Sequence, residues 1–163
     1  MKKLIKKAEK LEANELTKML ADLEKILIET FGKKAPKMPQ SMVDFLVKYG
    51  PYLVIFGVVL TTIGIFQTIG LVNGLAPIGR WGIYNYGFGP GFWIMEILLL
   101  IPLAIEAMAI SPLMKKEIKG WRLLFYASLI STVIGIFRLK LGITLVEAVI
   151  SWYILFQVRK EYK

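Results

Sequence analysis

Three carboxylates stand inside the most apolar stretches of this chain: Glu96, Glu106 and Glu147. A charge facing lipid at such a depth costs about 2.5 kcal/mol or more, so a carboxylate there points into a bundle, pairs with a cation or takes up a proton. The first two are met by ordinary packing and ion pairing, and the third opens the chemistry of moving protons or cations. Helical spacing sets Glu96 and Glu106 roughly 80° apart around the axis and about 15 Å apart along it, sharing one broad face without touching. Glu96 and Glu147 are expected near one end of their helices, at similar depth, with Arg138 and Lys140 close enough to neutralise either. Glu106 differs: it is deeper, no basic residue is near in sequence, and Pro102 precedes it by one turn. Pro102 lacks the N–H that would bond the carbonyl of Leu98, and its ring crowds that carbonyl, the usual cause of a kink. Two readings of Glu106 stay open. One is a proton or cation site beside a kink, and the other is a neutral carboxyl bonded to Tyr126, Ser128 or Thr132.

Other chemistries have little to stand on. With Cys 0 and His 0 there is no disulfide, no thiol nucleophile, no histidine-ligated haem and no imidazole to activate a serine. Zinc would need carboxylates alone, so neither a metal nor a cofactor is expected. No glycine-rich strand–loop–helix unit cradles a phosphate, and a Ser–Lys dyad lacks a lysine at membrane depth. The chain is read as a non-enzyme. Its net charge of +9 is taken up by the flanks of apolar spans and a basic arm, which leaves no reason to expect nucleic acid.

These carboxylates need helices to hold them. Hydrophobic residues make up 56% of the 163 residues, and the mean hydropathy is +0.58. From Tyr49 to Gly79 only tyrosines are ionisable, a run longer than one bilayer crossing needs. The expected fold is an all-α, polytopic four-helix transmembrane bundle, residues 42–163, behind an amphipathic, interfacial helical arm, residues 1–41. Spans are placed at about 51–72, 92–114, 121–137 and 141–158. The third is short: the stretch between Arg122 and Arg138 gives roughly 22 Å of helix, to be extended by Trp121 and snorkelling arginines.

In the arm, Leu16, Met19, Leu20, Leu23, Ile26, Leu27 and Phe31 fall on one side of a helix that Asn14 caps and Gly32 ends. The basic start, "MKKLIKKAEKLEANEL", has no continuous apolar core and does not read as a cleavable signal peptide. The arm either packs on its own protein or a second copy, or lies on anionic lipid through Lys2, Lys3, Lys6, Lys7 and Lys10. "SMVD", Ser41 to Asp44, fits a capping box, and Gly50-Pro51 is expected to separate a short interfacial helix at 42–49 from the first span.

Basic residues set the orientation. Lys33, Lys34, Lys37 and Lys48 precede span one; Lys115, Lys116, Lys119 and Arg122 join spans two and three; Arg159, Lys160 and Lys163 follow span four. The opposite side carries only Arg80, Arg138 and Lys140. Both termini are therefore expected in the cytoplasm and the protein in the cell (inner) membrane. The loop in "RWGIYNYGFGPGFWIM" then faces outward. Its "YGFGP" has the flavour of a potassium filter, but glycines and Pro77 break any pore helix before it and no acidic residue gathers cations. It is read as an outer cap whose Trp81, Tyr84, Tyr86 and Phe88 grip the interface, as Trp121 and Tyr126 are expected to do inside.

Small residues recur at helix-packing spacing: Gly57, Thr61, Gly64 and Thr68 in span one, and Ala127, Ser131 and Gly135 in span three. Four spans enclose little space, so a homo-oligomer is expected. "IGIF" occurs in both spans one and three, a match that apolar composition alone supports.

"KGWRLLFYASLISTVIGIF", the carboxy-terminal "WYILFQVRKEYK" and the "FLVKYGPYL" entry to span one resemble small four-span bacterial membrane proteins, several from candidate-phyla lineages. The resemblance covers about residues 42 to 163. It implies the four-span fold and no catalytic residue. The functional expectation comes from the carboxylates: an oligomeric proton- or cation-coupled transporter or channel. The alternative is a structural or interaction protein that recruits lipid or a partner through its arm.

Overall fold

The computed structural model describes residues 2–75, 90–138 and 141–163. The protein is an all-α bundle. Helix α1 spans Lys2–Leu27 and passes into a π-helical turn, Ile28–Lys34. Four long apolar helices follow: α2, Gln40–Leu75; α3, Pro90–Met114; α4, Ile118–Phe137; and α5, Leu141–Val158. A 3-10 turn, Arg159–Glu161, succeeds α5. All four are long and apolar enough to cross a membrane, which marks a multi-pass membrane protein. A bilayer centre offers no water to free backbone groups, so helices are the form in which such segments satisfy their own hydrogen bonds.

Three local expectations change. Asn14 lies inside α1, which begins at Lys2, so it caps nothing. Helix α2 starts at Gln40 rather than Met42. The backbone amides of Met42 and Val43 both donate to Pro39 O, and the side-chain Nε2 of Gln40 donates to Asp44 Oδ1 at 2.9 Å. Gly50-Pro51 does not divide α2, which runs unbroken for 36 residues. Pro51 costs one backbone bond, and starting a new helix within lipid would leave several unmet.

Helices α3 and α4 form a tight hairpin closed by a Schellman turn. Lys116 takes the left-handed position at φ 56°, its amide donates to Leu113 O, and the amide of Glu117 donates to Pro112 O. Gly120 makes the close approach possible: a Cβ there would sit 2.6 Å from the amide nitrogen of Leu113. Lys163 adds a second clasp, its amide donating to Lys116 O while its carbonyl accepts from Ile118 N.

The core gathers at this end of the bundle. Trp121 and Phe125 are fully buried and stack at 5.7 Å, with Phe156 edge-on to both. The Trp121 indole N–H donates to Leu155 O, in the last turn of α5, at 2.7 Å. Trp121 is thus a core residue, where its place near a span end had suggested an interfacial anchor. Farther along, α2 turns exposed apolar side chains outward, among them Phe56, Leu60, Ile63 and Phe66.

The arm is docked on its own bundle through the same core. Leu23, Leu27, Ile28 and Phe31 pack against it, and Phe31 meets Trp152 edge-on at 6.4 Å. Buried Gln157 holds the turn that follows. Its side-chain N–H donates to Phe31 O at 2.8 Å and to Pro36 O at 3.3 Å, and its side-chain oxygen accepts from Met38 N.

Candidate functional site

Each carboxylate is placed by a different relationship. Glu96, six residues into α3, forms an ion pair with Arg138 at the end of α4. Both side chains are largely buried, so this pair ties the two helices at the end of the bundle away from the arm. Lys140, the other expected partner, lies outside the described residues, as does the whole cap with Trp81, Tyr84, Tyr86 and Phe88.

Glu147 does not join that pair. Thr144, three residues before it, packs on Gly135, where a Cβ would fall 2.5 Å from the threonine hydroxyl. Gly135 lies about a turn below Arg138 on α4, so Glu147 sits deeper than Glu96, not level with it. It is exposed, and no ion pair joins it to a described residue.

Glu106 is half-buried on α3, beyond the buried Pro102, through which the helix continues. Among the described residues it has no hydrogen bond. Ser128 donates to Phe125 O and Thr132 to Ser128 O, each at 2.7 Å, so both hydroxyl protons go to their own helix. The Ser128 oxygen accepts from the Trp152 indole N–H at 3.1 Å. The bonded arrangement expected with Tyr126, Ser128 or Thr132 is not what the structure holds.

Two cavities explain where the carboxylates point. One, about 550 Å³, opens between α2 and α5 and reaches toward Trp121 and Tyr162. The other, about 410 Å³, runs along α4 and α5 toward Thr144 and Arg138. Glu106, Ser128, Glu147 and Ser151 line both. Two carboxylates and two hydroxyl oxygens therefore form the polar waist where an apolar cavity on the arm side meets a more polar one on the far side. Such a set can bind a cation, or accept a proton from one cavity and release it to the other. No group of three or more acidic side chains among the described residues is arranged to hold a metal ion.

The small-residue stripes separate. On α4, Ala127 is buried, Ser131 lines the far cavity and Gly135 meets Thr144. On α2, Gly57 and Gly64 have open space where a side chain would be; Thr61 is exposed, and Thr68 donates to Gly64 O.

Sequence reasoning passed over one buried carboxylate altogether. Glu24, on α1, accepts from Arg159 at 3.0 Å and lies 4.0 Å from Arg122. Its signal was there: Glu24 interrupts the apolar stripe of Leu20, Leu23, Leu27 and Phe31, where a charge must find a partner. Comparison with protein-family models, curated proteins and solved structures finds no match to the chain.

Proposed function

We propose that this multi-pass protein carries protons or a small cation across the cell (inner) membrane, with Glu106 and Glu147 as the exchanging groups. The observation that carries this reading is the shared waist: both carboxylates line both cavities and neither is neutralised by a described basic residue. Glu106 takes a proton from water in one cavity and returns it to water in the other, with Glu147 as second acceptor; a bound cation is held by the same two carboxylates. Glu96 is excluded from this role because Arg138 occupies it. Both termini lie in the cytoplasm, as the distribution of lysine and arginine favours. The open side between α2 and α5 and the bare stripe of Gly57 and Gly64 suit a homo-oligomer that closes the path. No catalysis is assigned. The test is flux through purified protein in liposomes, with Glu106→Gln and Glu147→Gln as the decisive variants.

A second reading has one observation in its favour. Met19 and Ile26 on α1 stay exposed while the opposite face is docked, leaving an apolar edge for lipid or a partner. Removing residues 2–20 without any change in co-purifying lipid or protein would end that reading.

A further inference from the structure

Phosphate binding by a membrane protein calls for several cations around one cavity, donors not already committed to carboxylates, and an apolar floor if the phosphate belongs to a lipid. A cavity of about 460 Å³ at the arm end meets these conditions. Lys33 comes from the π-helical turn, Lys37 from the extended segment before α2, and Arg159 and Lys160 from the turn after α5. The floor between them includes Val43 and Phe156, both buried. Among the described residues no acidic side chain lines it.

The lysines are at most weakly engaged elsewhere. Among the described residues Lys33 and Lys37 form no ion pair, whereas their neighbour Lys34 is paired with Glu29 at 3.4 Å. Lys160 reaches Gln40 at 3.3 Å and stands 4.0 Å from Glu161, an exposed and weak pairing. Arg159 shares one carboxylate, Glu24, with Arg122, and its Nε is buried with no acceptor among the described residues. One carboxylate between two guanidiniums leaves positive charge over. The surplus gathers where the turn before α2 meets the end of α5.

We propose that this cavity binds the phosphate of an anionic phospholipid headgroup, with Lys33, Lys37 and Lys160 as ligands and the acyl chains following the apolar floor toward Val43. The site is distinct from the lysines of α1, and it does not depend on the transport reading. Because its walls come from the arm junction, α2 and the end of α5, an occupied site locks the arm to the bundle.

The experiment is thermal unfolding of the detergent-solubilised full chain with phosphatidylglycerol, phosphatidylcholine or inorganic phosphate added separately. Phosphatidylglycerol should raise the midpoint, phosphatidylcholine should not, and the rise should shrink with salt. The double variant Lys33→Gln/Lys37→Gln should lose at least about half of the rise, a cationic contribution expected from two of several phosphate contacts. Both lysines are exposed, so the variant keeps its fold. A variant with Lys2, Lys3, Lys6, Lys7 and Lys10 changed to Gln should retain the rise. An undiminished rise in the double variant overturns the proposal, as does a rise lost only in the α1 variant. An equal rise with inorganic phosphate would assign the site to a free anion and overturn the lipid assignment.

Discussion

Glu106 on α3 and Glu147 on α5 line the same two cavities, although the chain places them on helices that are not consecutive. One is half-buried and the other exposed, so the two carboxylates differ in surroundings while sharing a path.

The Glu96–Arg138 pair is assigned a structural role, and its removal should show as stability alone. Glu96→Gln leaves a largely buried guanidinium unpaired and should cost roughly 3 kcal/mol, the lower end for breaking a buried pair. Replacing both residues by Gln should recover part of that loss. Unfolding in detergent of Glu96→Gln, Arg138→Gln and the double variant provides the double-mutant cycle, and a double-variant loss equal to the sum of the two single losses would remove the coupling.

Two kinds of glycine should respond in opposite ways. Gly120→Ala drives a Cβ against the backbone of Leu113 and Pro112 and should destabilise by about 1–3 kcal/mol. Gly57→Ala and Gly64→Ala meet open space and should be neutral, or gain up to about 1 kcal/mol from helix propensity, within a single chain. Midpoints for the three variants decide this. A marked loss at Gly57 or Gly64 would reveal a neighbour on that face of α2, and cross-linking would identify a second copy.

Release of the arm should follow loss of its polar clasps. Gln157→Leu removes bonds to Phe31 O, Pro36 O and Met38 N together, and Glu24→Gln weakens the hold of Arg159 and Arg122. Each variant should raise protease cleavage between Lys33 and Gln40 several-fold while the bundle stays folded. Unchanged cleavage in both would mean that apolar packing of Leu27 and Phe31 alone holds the arm.

How much of this was legible in the residues depends on how local each signal is. The spans were, because long runs without charge have few other fates. The Glu96–Arg138 pair was also within reach, since a short link between α3 and α4 brings the start of one beside the end of the other. The convergence of Glu106 with Glu147 was not. It depends on which helices lie side by side, and hydropathy carries no such information. Trp121 misled for a related reason: a tryptophan near a span end looks the same whether it faces headgroups or, as here, Phe125 and Phe156. Glu24 was readable and overlooked, being one charge within an apolar stripe.

Tyr162, just beyond the last span, carries a pH signature. Burial pushes its phenol above the ordinary value near 10. The folded state therefore holds the proton more tightly than the unfolded chain, and stability is retained in full below about pH 10. It falls as pH rises through the folded value, because the unfolded chain ionises first. Tyr162→Phe keeps the ring and removes the titration, so its unfolding midpoint should decline less than that of the wild type as pH rises above about 10. Parallel declines would place Tyr162 in solvent.

The central claim is that Glu106 exchanges the transported ion. Its most direct test is proton or cation flux into liposomes containing purified protein, comparing the wild type with Glu106→Gln. The account predicts flux in the wild type and a fall of at least about tenfold in the variant, equal to about 1.4 kcal/mol on the barrier, with the unfolding midpoint unchanged. Flux that persists undiminished in a folded Glu106→Gln protein would contradict it.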